Sequence, residues 1–142
     1  WTSSSSSAPT ARAACRGLTL KVILETGELQ TRVRIEQASR LALAAGADFL
    51  KTSTGKVQVG ATLPAAAAML GAMRDHPRVG LKLSGGLRRV ADLLPYLELV
   101  QRERGTQALQ PQHFRIGASS LLDDIEAVLG GRPPGDAPVQ GY

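Results

Sequence analysis

From Leu18 onward, short apolar runs alternate with longer stretches in which apolar residues recur at helical spacing. The runs are Leu18 to Leu24 (LTLKVIL), Ala47 to Thr52 (ADFLKT), Val79 to Leu83 (VGLKL) and His113 to Gly117 (HFRIG). Their starts lie about 30 residues apart, the span of one strand-plus-helix unit. The intervening stretches have legible ends. Thr31 to Ala45 carries Ile35, Ala38, Leu41, Ala42 and Ala45 on one stripe, with Gly46 as its stop. Thr62 can cap a second helix, with Pro64 in its first turn and Ala65 to Arg74 as its body. Pro95 would break an interior turn, so the third helix is expected to start late, capped by Asp92, and to run to about Arg104. Ser119 or Ser120 caps the fourth, with Asp123 in its first turn and Gly130-Gly131 at its end.

Four such units predict an α/β fold with a parallel sheet, because a right-handed crossover returns each strand in the same direction. Two architectures fit: an open doubly wound sheet, or part of a (β/α)8 barrel, which takes about 250 residues when complete. In both, sites lie beyond the C-terminal ends of the strands. The flanks read differently from the centre. Residues 1–17 are rich in Ser, Ala and Arg, and the first carboxylate in the chain is Glu25. That segment is expected to be disordered or linker-like, although organelle transit segments share its composition. Residues 132–142 are rich in Pro and Gly and are expected to form a flexible tail, leaving 18–131 as one domain.

Composition removes several classes of function. With 43% hydrophobic and 20% charged residues the chain is globular, and every apolar run is interrupted well short of the ~18 residues of a membrane helix. No membrane partner is expected. Cys15 is the single cysteine, which excludes an intrachain disulfide and a multi-cysteine zinc site, and points to a reducing compartment, by default the cytoplasm. Cys15 itself reads as an inert small residue. His76 and His113 are too few and too far apart for a histidine metal site, and near the starts of their strands they read as surface residues. A net charge of +5 raises nucleic acid as a partner, but the basic residues are dispersed and only 4% of residues are aromatic, so none is expected.

Charge becomes informative through the lysines. Of 17 basic residues only Lys21, Lys51, Lys56 and Lys82 are lysine. Lys21, Lys51 and Lys82 each sit inside an apolar strand of a sheet expected to be buried on both faces. One such lysine could point outward and snorkel past a helix. Three in consecutive strands of a chain that otherwise uses arginine point to a site. Two ammonium groups facing each other in a partly dry pocket disfavour the charged form, and a neutral lysine amine attacks carbonyls. At the strand ends lie Thr52-Ser53-Thr54-Gly55-Lys56, Ser84-Gly85-Gly86-Leu87-Arg88 and Gly117-Ala118-Ser119-Ser120. Each offers small residues with exposed backbone N–H groups, which suits a phosphate dianion. Any one such loop is weak, since turns need glycine anyway. Three at one sheet edge are stronger. The STGK segment lacks the spaced upstream glycine of a P-loop, with Leu50 in its place, which argues against ATP.

LKVILETGEL (20–29), AGADFLKTSTGK (45–56), GLKLSGGLR (80–88) and FRIGASSLL (114–122), in this order and spacing, resemble deoxyribose-phosphate aldolase. The match runs from about Leu18 to Leu129, and KTSTGK and FRIGASS are specific to that family. The resemblance implies a partial (β/α)8 barrel, strands five to eight with their helices. It implies a class I, Schiff-base lyase that needs no metal or other cofactor. The substrate would be a phosphorylated sugar: 2-deoxy-D-ribose 5-phosphate is cleaved reversibly to acetaldehyde and D-glyceraldehyde 3-phosphate in deoxyribonucleotide catabolism. By position, Lys51 would form the Schiff base and Lys82 would lower its pKa. Lys21 would join the polar network around the carbinolamine, and Thr54 would line the pocket. Gly55, Lys56, Gly86, Arg88, Gly117, Ser119 and Ser120 would hold the phosphate. Some members end in a tyrosine that assists proton transfer, which gives Tyr142 either that role or none.

Two departures from the family follow. Leu83-Ser84 stands where many members have Pro-Ala, a change of packing rather than chemistry. The N-terminal strands carry an aspartate that works with the lysines, and no acid here takes that position. Glu25, at the end of the first strand, could face the pocket. A half barrel also has open strand edges, which predicts association with a second copy or a complementary half. Beside the aldolase stands an inactive half barrel that retains only a phosphate pocket.

Overall fold

The computed structural model describes residues 11–131. Strands β1 (Lys21–Ile23), β2 (Phe49–Lys51), β3 (Gly80–Ser84) and β4 (Phe114–Gly117) alternate with helices α1 (Arg32–Ala44), α2 (Leu63–Ala72), α3 (Val90–Arg104) and α4 (Leu121–Leu129). A helical turn, Thr26–Leu29, precedes α1, and a 3-10 turn, Thr106–Leu109, follows α3. The strands pair in parallel in the order β1-β2-β3-β4. Because the order is sequential, right-handed crossovers place every helix on the same side of the sheet. Consecutive helices touch along that side.

The pleat divides the strand residues between two environments. Val22, Leu50, Leu81 and Phe114 share one register level and join the core against the helices. Leu50, Leu83, Met69, Leu70 and Met73 are fully buried there, each worth ~1.5–3 kcal/mol of transfer free energy. Alternate positions face the other way, onto a concave surface carrying Lys21, Lys51, Lys82 and Arg115. Phe49 is also buried but lies outside the helix-side core, because its ring covers Gly80 from the concave side.

Two of the four helices begin with a local side-chain cap. The Thr62 hydroxyl accepts from the Ala65 amide, as expected, and the Thr31 hydroxyl accepts from the Arg34 amide in the same way. The buried stripe of α1 differs from the expected one: Leu41 is 49% exposed, and Ser39 takes a core position beside Ile35, Ala42 and Leu43. Ser39 can do so because its hydroxyl donates to the Ile35 carbonyl at 2.7 Å. The start of α3 needs correction too. Arg89, not Asp92, is the N-cap, and Pro95 lies in the second turn rather than the first. Asp92 caps from inside, its carboxylate accepting from the Arg88 and Arg89 amides at 3.1 and 3.0 Å. A second carboxylate arrives from α4: Asp124, buried, accepts from the Val90 amide at 2.7 Å. Two anions at one helix N-terminus offset the intrahelical bond that Pro95 cannot donate.

The expectation for residues 1–17 is also revised where they are described. Residues 11–14 are helical. Arg12 ties them down, donating to Asp48 at 2.7 Å and to the carbonyls of Gly46, Cys15 and Leu18. Gly46 ends α1 with φ 90° and leaves room for Arg12, whose Cδ would lie 2.8 Å from a Cβ there. Residues 1–10 and 132–142, with the expected flexible tail and Tyr142, lie outside the described residues. Among the described residues no helix is long and apolar enough to cross a membrane.

Candidate active site

Parallel register sets the centre of the site. Lys51, the last residue of β2, is the lateral partner of Lys82, and Lys82 is the partner of Arg115 on β4. Adjacent strands lie ~4.8 Å apart, so three cationic side chains leave one row of the concave face. Lys21 belongs to the row below, paired with Phe49. The Phe49 ring there lies between two cations, with the Arg115 guanidinium 4.4 Å and Lys21 Nζ 5.6 Å from its centroid. Arg115 is further held by the Pro111 carbonyl at 3.0 Å. Burial and, after it, the positive charges of Lys21, Lys51 and Arg115 push the Lys82 ammonium below the usual lysine range. Lys82 reaches along the sheet toward β4, where a Cβ at Gly117 would lie 3.1 Å from its Cε. Gly117 is therefore the absent side chain that gives Lys82 its place.

The three loops follow the C-terminal ends of β2, β3 and β4. Two of them are locked together. Ser53 and Ser84 exchange hydrogen bonds, each hydroxyl donating to the other's carbonyl. The Thr52 hydroxyl accepts from the Ser84 amide at 3.0 Å and donates to its carbonyl at 3.2 Å. Thr52, Ser53 and Ser84 are buried, so their polar groups are satisfied by these exchanges. Gly60 then lies against Gly85, where a Cβ would meet backbone at 2.5 Å. Beyond this lock Thr54, Gly55, Lys56, Gly86, Arg88, Ser119 and Ser120 are exposed. Gly55 and Gly86 turn with φ 85° and 80°. Ser120 begins α4 without a side-chain cap bond.

Glu25 does not stand free in the concave face. Its carboxylate accepts from the Thr54 hydroxyl at 2.7 Å and from the Thr54 amide at 3.2 Å. His76 and His113 lie at the opposite end of the strands, half-buried rather than on the surface, and the His113 Nδ1 is buried without a partner. Two features escape a reading of the sequence: the Ser53–Ser84 exchange and the place of Arg115. Arg115 alternates with Phe114 and Ile116, both packed on the helix side, and that alternation is a legible signal that it shares a face with Lys82.

A sequence model of the DeoC/LacD family aldolases matches residues 3–126. This chain belongs to that family. Among curated aldolase relatives, the deoxyribose-phosphate aldolase of Homo sapiens is 50% identical over 120 residues, 81% of this chain and 38% of that one. The deoxyribose-phosphate aldolase of Agrobacterium fabrum is 50% identical over 133 residues, 92% of this chain and 51% of that one. The chain thus spans about half or less of the length of these relatives. A crystal structure from Toxoplasma gondii ME49, assigned as a deoxyribose-phosphate aldolase, superposes with a TM-score of 0.79 at 28% identity, over 89% of this chain and 52% of that one. The aldolase QR15 shares the fold at a TM-score of 0.66. The four βα units of this chain correspond to part of a (β/α)8 barrel.

Proposed function

We propose that this chain carries the imine-forming and phosphate-binding side of a deoxyribose-phosphate aldolase. The reaction is reversible cleavage of 2-deoxy-D-ribose 5-phosphate to acetaldehyde and D-glyceraldehyde 3-phosphate. The observation that supports it most is the lateral Lys51–Lys82 pair at the C-terminal end of a parallel sheet, with Lys82 crowded by two further cations, Lys21 and Arg115. Relatives 50% identical are named for this activity.

Lys51 Nζ attacks the substrate aldehyde, and loss of water gives a protonated imine. The nucleophile must first shed a proton to solvent, and the ammonium of Lys82, its lateral partner, repels that proton. The C2–C3 bond then breaks as the C3 hydroxyl loses its proton to water. Its electron pair moves into the iminium to leave an enamine on Lys51, and D-glyceraldehyde 3-phosphate departs. Protonation at C2 and hydrolysis release acetaldehyde. Lys21 supports the polar network beneath. Thr54 shapes the pocket wall, while Gly55, Lys56, Gly86, Arg88, Gly117, Ser119 and Ser120 receive the phosphate. Tyr142 would assist the C2 protonation. A cytoplasmic setting belongs to the same reading, as does association through the edges of β1 and β4 with a second copy or a complementary half.

The test is intact-mass spectrometry after incubation with deoxyribose 5-phosphate and borohydride, beside Lys51→Ala. A reduced adduct that maps to Lys51 and vanishes in the variant is expected. No adduct on a folded chain would favour the other reading, a half barrel that keeps its phosphate loops without turnover.

A further inference from the structure

Strand alternation after Lys21 and Ile23 would aim residue 25 into the concave face. Glu25 instead takes a left-handed backbone, φ 54° and ψ 62°, which costs a non-glycine residue ~1 kcal/mol or more. Such conformations persist where their surroundings over-determine them. Here the flanking backbone is pinned to the exit of β2: the Leu24 amide donates to the Lys51 carbonyl and the Thr26 amide to the Thr52 carbonyl, both at 2.9 Å. Between these two bonds the Glu25 carboxylate takes the Thr54 hydroxyl and amide. The Thr54 hydroxyl accepts in turn from the Lys56 amide at 3.2 Å. A continuous chain of bonds therefore runs from Glu25 through Thr54 to Lys56, around the left-handed Gly55.

We propose that Glu25 is a positioning residue that holds residues 52–56 in the shape that receives the substrate phosphate. The inference rests on the phosphate assignment made above. An uncommitted carboxylate at this edge would repel a dianion. Committed to Thr54, it fixes the loop and spends the donors of Thr54, which leaves the Gly55 backbone and the Lys56 ammonium to meet the phosphate. Glu25 then acts through loop geometry and not as a substitute for the family's proton-transfer aspartate.

The test is calorimetric titration with inorganic phosphate of the wild-type chain and of Glu25→Ala, Glu25→Gln and Thr54→Val, with folding followed by circular dichroism. Glu25→Ala and Thr54→Val should each weaken binding roughly tenfold, and the double variant no further, since both cut one linkage. Glu25→Gln, whose amide oxygen still accepts from Thr54, should stay within roughly threefold of wild type. Should Glu25→Ala fail to fold, Thr54→Val removes the exposed hydroxyl that joins Glu25 to the Lys56 amide and decides the matter. Wild-type binding left unchanged by Thr54→Val overturns the inference while the phosphate assignment stands. A Glu25→Gln variant as weak as Glu25→Ala overturns it too, because charge and not geometry would then be at work. A wild-type chain that binds no phosphate overturns the assignment and the inference together.

Discussion

Replacing Lys82 by methionine should stabilise the folded chain while slowing imine formation. Lys51 and Arg115 flank Lys82 in register, and Lys21 lies one row below. With the charges on long side chains about 8 Å apart, each pair costs ~0.5 kcal/mol in a water-like dielectric. Salt at physiological strength cuts this to ~0.2 kcal/mol, so three neighbours cost ~0.6 kcal/mol. Burial, the larger cause of the depression at Lys82, brings the total to about 1 kcal/mol for a side chain that is only half-buried. Methionine keeps the aliphatic stem and removes the charge, so Lys82→Met should unfold about 1 kcal/mol later in urea near pH 7. For a domain of this size that is roughly 4 °C in Tm.

The sign of the pH dependence follows from linkage. The Lys82 pKa is lowered in the folded state from 10.5. Below the folded value both states hold the proton, and the wild type carries the whole penalty. Between the folded value and the unfolded one, the unfolded chain binds the proton and the folded chain does not, so wild-type stability rises with pH. The gap to Lys82→Met should therefore be widest near neutrality and close as pH approaches 10.5. Borohydride trapping at Lys51 should fall at least about tenfold in the same variant, because the neighbouring charge that favours the neutral nucleophile is gone. Lys82→Met less stable than wild type at neutral pH, or a gap that does not change with pH, would refute the reasoning.

Substitutions at two further positions test the packing of Lys82 and the start of α3. In Gly117→Ala the new methyl would sit 3.1 Å from Lys82 Cε and 3.2 Å from Ser84 Cβ, inside the ~3.5–4.0 Å carbon contact distance. Lys82 must yield by about half an ångström, so trapping should slow about tenfold with little loss of stability; trapping at the wild-type rate would show that the glycine does not serve Lys82. Asp124→Ala strands the Val90 amide and should cost about 2 kcal/mol in urea unfolding, whereas Asp124→Asn keeps an acceptor and should cost less than about 1 kcal/mol. Equal losses in the two variants would remove the carboxylate from the account of how α3 begins.

What could be read along the chain is what neighbours in the chain decide. The four strands and the cap at Thr62 lie where periodicity and the capping residue place them, since both signals are complete within one turn or one strand. The start of α3 was out of reach because half of its cap, Asp124, lies 34 residues downstream. Arg12 looked like one more charge in a Ser-rich segment, yet its partner Asp48 lies 36 residues away. Glu25 shows the limit at its sharpest. Nothing in a glutamate announces a left-handed backbone, and the carboxylate that could have faced the lysines is turned onto Thr54, 29 residues on. The lysines were conspicuous by residue type, but the electrostatics of the pair depend on four strands. Lys82 stands between Lys51 on one neighbour and Arg115 on the other, with Lys21 a strand further out, so only the assembled sheet determines that Lys82 carries the burden of charge.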